Sequence, residues 1–445
     1  MQNLANSDVP IVFISNTGES FYQYVGREEN ERLRQELIRD MQVIGDRALL
    51  YLGSAKLAIT SSPVYHLDYL REHLSFHDTQ HAYPRQASPC LSLDIMGDCN
   101  LLERIVQYAG KEQTIQLIPH ATTPEFYQLV DLLETEFGLT VHLPESPSRA
   151  DAWIRDYIDS KVGFREFASR TLEDASQSIL EGFTCSTTLE AARAAYYFIS
   201  RDRTCVVKAN RGNDALGQTI VKPDQYVSID LLHEHLRQNA FLADDLIIVE
   251  AFAPSTQQVF PSAEFFVPLH GQGEPYLTYI CNQIFMKGGT FSGVLVDASL
   301  MDEVWYEPLV RTGGAIARKL QSLGYVGHFD LDGIVEDNGS LRLLEVNARR
   351  TGGTHIHELA VQLFGSNYNC SLISNTAYSC GSDVSDFPSL LHRLNELLYP
   401  MAGKQEGIII THTSDIREHR FGYIALSASR SLVLDLQRAL SERLS

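Results

Sequence analysis

Residues 327–350 constrain this chain more than any other stretch. Two apolar-rich runs flank Asn338 and Gly339, and Asn-Gly in that setting is the strongest short-range signal for a β-hairpin. With Asn338 and Gly339 as the two central turn residues, Asp337 faces Ser340. Asp332 then falls opposite Glu345, and Asp330 opposite Asn347. Side chains two apart on a strand share a face. Four oxygen-bearing side chains are therefore expected on one patch of one sheet.

Such a patch is unfavourable by itself, because opposed Cβ atoms stand only about 5 Å apart and like charges there destabilise a strand pair. A hard divalent cation removes the conflict. Mg²⁺ takes a few carboxylate oxygens and completes its shell with substrate phosphates. The local reading is a Mg–phosphate site, and the competing one is a solvated acidic hairpin face. The apolar Leu343, Leu344 and Val346 favour a core strand.

The 445 residues are 44% hydrophobic and 21% charged, an ordinary globular balance long enough for two to four domains. The net charge of −20 argues against a nucleic-acid partner or an anionic membrane surface. A nucleotide needs only a local basic pocket, so that class stays open. The start of the chain lacks the basic end and apolar length of a signal peptide, and no segment has the length of a membrane span. Seven cysteines with no CxxC pair point to reduced thiols and a cytoplasmic location. His355, His357 and Glu358 lack the spacing of a zinc helix.

Alternating strand and helix patterns predict an α/β domain with a largely parallel sheet over residues 1–150. Strands are expected at 9–16, 49–52, 57–60 and 114–118. Helices are expected at 27–41, 99–108 and 123–137, the last with Thr122 or Thr123 near its N-cap and Gly138 past its end. Residues 150–205 read as mostly helical. Further strands are expected at 204–209, 246–252, 262–269 and 275–283, and a helix at 308–324. The last segment, 387–445, reads as a helix, two strands at 406–412 and 421–426, and an amphipathic helix at 431–444.

The strand 204–209 carries Lys208 and runs into a loop holding Gly212 and Gly217. Backbone N–H groups of such a loop can cradle phosphate, with the lysine as a point charge. The two glycines have Walker A spacing, but Gln218 stands where that motif needs lysine.

The order Lys161, Lys208 with its glycine loop, the run 249–252, Asp332, then Glu345, Asn347 and Arg349 resembles the ATP-grasp superfamily over roughly residues 150–365. The most specific part is the Glu-x-Asn-x-Arg end with an aspartate thirteen residues upstream. The resemblance implies an α/β (α+β) ATP-grasp fold with an N-terminal α/β pre-ATP-grasp domain at 1–150. The ATP-grasp domain would span 151–386 with a lid at about 183–254, before the 387–445 segment.

It implies ATP binding by Lys161, Lys208, Glu250, Ala251, Phe252 and Lys287. Mg²⁺, or Mn²⁺ in its place, would sit on Asp332, Glu345 and Asn347. Arg349 and Lys208 would be catalytic, and Arg349, Arg350, Gly352 and Gly353 would bind substrate. Gln283 and Gly293 match a segment that approaches the triphosphate. Gln257, Gln258 and Glu264 remain alternatives for the ribose contact, and Asp330 is an extra carboxylate. The loop is glycine-poor for the superfamily and carries Arg211 and Asp214.

The implied activity is ADP-forming carboxylate–amine ligation through an acylphosphate. Residues 347–355, the long front domain and the strand-rich tail are similar to the pheganomycin-type peptide ligases. That narrower likeness implies an amino acid or modified amino acid joined to an amine or peptide acceptor. It implies no nucleic acid or membrane partner, and the superfamily suggests a homodimer. A biotin-type carboxylase and a non-catalytic ATP-binding regulatory module are the alternatives.

Overall fold

The computed structural model describes residues 9–212, 217–286 and 289–444. Five short strands come first: β1 (Ile11–Ile14), β2 (Leu57–Ile59), β3 (Gln80–Ala82), β4 (Thr114–Pro119) and β5 (Thr140–His142). They form a parallel sheet in the order β3-β2-β1-β4-β5. β1 and β2 are buried at every position, as expected of strands covered on both faces. The helix Pro124–Thr135 starts where its pattern says: Thr123 accepts the Phe126 N–H as N-cap, and Pro124 takes the first turn.

A four-stranded antiparallel sheet follows, made of β6 (Gly182–Cys185), β7 (Cys205–Ala209), β8 (Gln218–Val221) and β9 (Ile247–Ala251) in the order β6-β9-β7-β8. The helix Thr188–Ile199 lays Ala191, Ala195 and Phe198 against Val207 and Val249 beneath it.

The third sheet has eight strands: β10 (Pro261–Val267), β11 (Tyr276–Phe285), β12 (Phe291–Val296), β13 (Gly327–Val335), β14 (Leu341–Asn347), β15 (Ser371–Ser379), β16 (Gly407–His412) and β17 (Arg420–Ser427). Their order is β14-β13-β10-β11-β12-β15-β17-β16, and every pairing is antiparallel. The helix Tyr306–Ser322 backs this sheet, with Ile316 and Leu320 against Phe265 and Phe329. Gly313 allows the approach, since a Cβ there would stand 2.3 Å from the Phe265 ring. A second core joins Phe13 and Leu49 of the N-terminal domain to Tyr279, Leu372 and Ile409 of this sheet. Among the described residues no helix is long and apolar enough to cross a membrane.

Two expectations need correction. The run 49–52 is not a strand; Gly45–Leu50 is a 3-10 helix whose residues are all buried. A short apolar run cannot tell a buried turn of helix from a strand. The helical reading of 150–205 misses β6. The two strands expected beyond 387 are β16 and β17, which extend the eight-stranded sheet through β15.

Candidate active site

The hairpin of β13 and β14 pairs Asp330 with Asn347 and Asp332 with Glu345, the expected register. The turn differs. Glu336 pairs with Ser340 and accepts the Gly339 N–H, so three residues, Asp337 to Gly339, form the loop. Gly339 holds φ +84, the left-handed position such a loop needs. The extra turn residue shifts the pairs Gly333–Leu343 and Ile334–Arg342 by one. A bulge at Leu344 then shifts the register back before Glu345.

On this patch Asp332 accepts from Asn347 Nδ2 at 2.9 Å and from Gln283 Nε2 at 2.5 Å. Burial, then Asp330 and Glu345 nearby, push its carboxyl well above the usual range. Asp330 accepts from Ser262 at 3.3 Å, and burial pushes its carboxyl up to about 7. Glu345 goes the other way. Burial alone would raise it, but Lys161, whose Nζ stands 2.8 Å from its Oε2, outweighs that and holds it low.

Lys161 opens the helix Lys161–Thr171, which Ser160 caps by accepting the Gly163 N–H. Its Nζ also donates to the Gly212 carbonyl at 3.2 Å, which brings the end of the segment after β7 to the hairpin. Lys208, buried on β7, lies 2.5 Å from Glu250 Oε1. Arg165 holds the other Glu250 oxygen at 2.9 Å. The Glu250 carboxylate is thus turned toward two cations, and the edge of the strand presents Ala251 and the exposed ring of Phe252. Lys287 and Asp214 lie outside the described residues.

Arg349 donates to Asp159 at 2.9 Å and stacks over Phe21, 4.9 Å from the ring centre. Asp159 also accepts the Ala348 N–H and faces Arg155, so the backbone entering this turn is pinned. Burial would raise the Asp159 carboxyl, but Arg349 and Arg155 hold it low.

Arg350 departs from its expected place among open substrate contacts. It is 2% exposed, doubly bonded to Glu145 and paired with Glu358. That leaves it as a tie between the N-terminal domain and the helix Thr354–Phe364. Gly352 and Gly353 pass tightly over aromatic rings: a Cβ at Gly353 would stand 2.4 Å from Tyr279, and one at Gly352 2.7 Å from Phe291. Gly293 lets β12 close on β15, with Ser374 O 2.0 Å from a Cβ there.

Two more side chains share this face: Glu264, which entered the sequence reading only as a ribose alternative, and His328, which carried no chemical role there. Glu264 of β10 pairs across from Asp330, and His328 precedes Asp330 by two on β13. Glu264 is fully buried on β10. Among the described residues no group of three or more His, Cys, Asp or Glu side chains is placed to hold a metal ion.

No family model matches the sequence, and no curated protein is similar to it in sequence. Solved structures are similar in fold. N5-carboxyaminoimidazole synthase from Aspergillus clavatus, in complex with ADP and 5-aminoimidazole ribonucleotide, covers 98% of this chain and 99% of its own at 10% identity, with a TM-score of 0.53. Biotin carboxylase from Campylobacter jejuni, in complex with β-γ-ATP, covers 98% and 92% at 10% identity and a TM-score of 0.57. The biotin carboxylase domain of Hydrogenobacter thermophilus 2-oxoglutarate carboxylase, with MgADP and bicarbonate, covers 97% and 89% at 14% identity and a TM-score of 0.53. The fold shared with these structures over nearly the whole chain is the ATP-grasp fold behind an N-terminal α/β domain.

Proposed function

We propose that this chain is an ATP-dependent, ADP-forming ligase that activates a carboxylate as an acylphosphate and passes the acyl group to an amine. One observation carries the reading. Asp332 and Glu345 oppose each other on one sheet face, and Lys161 closes on the same patch. Asp332, Glu345 and Asn347 offer hard oxygens on one largely buried patch, a donor set that suits Mg²⁺ or Mn²⁺ completed by phosphate oxygens. Held there by Asp332, Glu345 and Asn347, a divalent cation would supply positive charge against the charge that develops on the transferred phosphoryl group.

The chain's own groups account for the rest. Lys161 and Lys208 each face a carboxylate, so a triphosphate would exchange one anionic partner for another. Ala251 and Phe252 border the adenine. Arg349, its fork oriented by Asp159, holds the reacting carboxylate against the transferred phosphoryl group. A carboxylate oxygen attacks the γ-phosphorus and ADP leaves. The amine then attacks the acyl carbon, and phosphate leaves with the bonding pair.

On this reading the substrates are of the pheganomycin type, an amino acid or modified amino acid with an amine or peptide acceptor, in a cytoplasmic enzyme with a homodimeric assembly. A second reading has a specific support, since the three neighbours named above are carboxylating enzymes by name. In that case bicarbonate is the activated carboxylate.

The test is an ADP-release screen over amino acids with hydroxylamine as trap, run beside bicarbonate. Hydroxamates formed from amino acids support the peptide-ligase reading, and release that needs bicarbonate supports carboxylation. ATP binding without turnover on every substrate leaves a nucleotide-binding module and ends the ligase proposal. Asp332→Asn and Glu345→Gln should each abolish Mg²⁺-dependent release.

A further inference from the structure

We propose that His328 is the general base that takes the proton from the attacking amine, with Glu264 orienting its ring. This rests on the ligase reading above and specifies how its second half proceeds. His328 stands on β13 four residues before Asp332, on the same sheet face. Its Nδ1 is 3.0 Å from Glu264 Oε1.

Glu264 is itself fixed. It is fully buried and accepts from Thr278 at 2.9 Å, from Thr351 at 3.3 Å and from Thr354. These hydroxyl donors leave the carboxylate with hydrogen bonds to its ionised form. An ionised carboxylate only accepts, so Nδ1 carries the proton and Nε2 presents its lone pair.

Nε2 makes no hydrogen bond among the described residues. The nearest carboxylate oxygen facing it, Glu145 Oε2, is 3.8 Å away and already bound by Arg350. His328 lines a narrow cleft together with Arg349, Arg155 and His120. A cation able to hold an acylphosphate and a nitrogen base thus border one space, which is what aminolysis requires.

The step balances. The amine nitrogen forms a bond to the acyl carbon and gives its proton to Nε2. The carbonyl re-forms as the bond to the phosphate oxygen breaks, and phosphate departs with that electron pair. The imidazolium faces Glu264 and returns the proton to solvent.

Hydroxylamine is largely unprotonated at neutral pH and needs no base, whereas glycinamide carries more of its amine as ammonium. The unaltered enzyme and His328→Gln are compared on the amino-acid panel with each acceptor, following ADP and product by mass. The expected result is hydroxamate formation kept within about twofold and glycinamide coupling lowered about 100-fold, recovering as pH rises. Equal rates with glycinamide, or equal losses with both acceptors, overturn the role of His328. Glu264→Gln should lower glycinamide coupling in the same selective way. If the unaltered enzyme releases no ADP on any carboxylate, the ligase reading falls and this proposal with it. That result is distinct from a selective failure of His328→Gln to differ.

Discussion

Lys161 Nζ lies 2.8 Å from Glu345 Oε2 and 3.2 Å from the Gly212 carbonyl. One ammonium joins the helix Lys161–Thr171, Gly212 and the acidic hairpin. Replacing it with methionine keeps the stem and removes the charge. Lys161→Met should raise the KM for ATP and lower kcat about 100-fold, the scale for losing one charge at a transferring phosphoryl group. Steady-state ADP release checks this, and unchanged constants would take Lys161 out of the site.

The register of β13 and β14 was legible for a reason that concealed a detail. A two-residue turn and a three-residue turn followed by a bulge at Leu344 give the same Asp332–Glu345 pair. Apolar periodicity cannot distinguish them, because Leu343 and Leu344 are both apolar. Arg349 and Arg350 adjoin in sequence but pair differently, one with Asp159 and the other with Glu145 and Glu358, so composition alone could not separate their roles. Glu264 and His328 meet only because β10 pairs with β13 across 64 residues. The alternation His328, Asp330, Asp332 was nevertheless a readable signal of one polar face. β8 escaped because three of its four residues are not buried, so it carries no apolar run.

Arg350 should prove structural. Its guanidinium binds Glu145 through both oxygens, pairs with Glu358 and stacks 4.8 Å from the Tyr51 ring. Arg350→Ala leaves two buried carboxylates without their cation, a change that costs about 3–5 kcal/mol. Arg350→Lys should recover only part of this, because one ammonium cannot match a fork held on two sides. Urea unfolding followed by circular dichroism measures both. A midpoint for Arg350→Ala equal to that of the unaltered chain would remove the interdomain tie.

Asp46 predicts a pH dependence with a definite sign. It is fully buried and accepts the N–H groups of Thr413 and Ser414 at 2.7 and 2.8 Å. Burial raises its carboxyl from 3.8 to about 7. A folded value above the unfolded one means the native state holds the proton more tightly. This contribution is complete below the unfolded value and is lost as pH rises through about 7. Asp159, held low by its arginines, acts in the opposite direction and weakens the fold only as pH falls below the usual carboxylate range. Between pH values of about 4 and 7, Asp46 alone should cost up to about 1.4 kcal/mol per pH unit. Thermal melts across that window should show Asp46→Asn with a shallower fall in Tm than the unaltered chain. Parallel slopes would mean that Asp46 ionises freely in the native state.

The strands beyond residue 387 should prove inseparable from the rest. β17 pairs with β15 from Ser371–Ser427 to Ser379–Arg420, and β16 covers its other edge. Ile408, Ile409, Ile410, Ile424, Leu426 and Leu440 are completely buried in the core shared with Phe13 and Tyr279. At about 1.5–3 kcal/mol for each buried side chain, their loss matches the whole net stability of a typical domain, about 5–15 kcal/mol. Removal also leaves β15 as a bare edge, which invites pairing between chains. A chain ending at residue 386 should therefore aggregate or melt without a cooperative transition, as read by size-exclusion chromatography and calorimetry. A monodisperse product that melts cooperatively at the full chain's Tm would show that the β15–β17 seam contributes little. The eight strands would then be two adjoining sheets with separate cores.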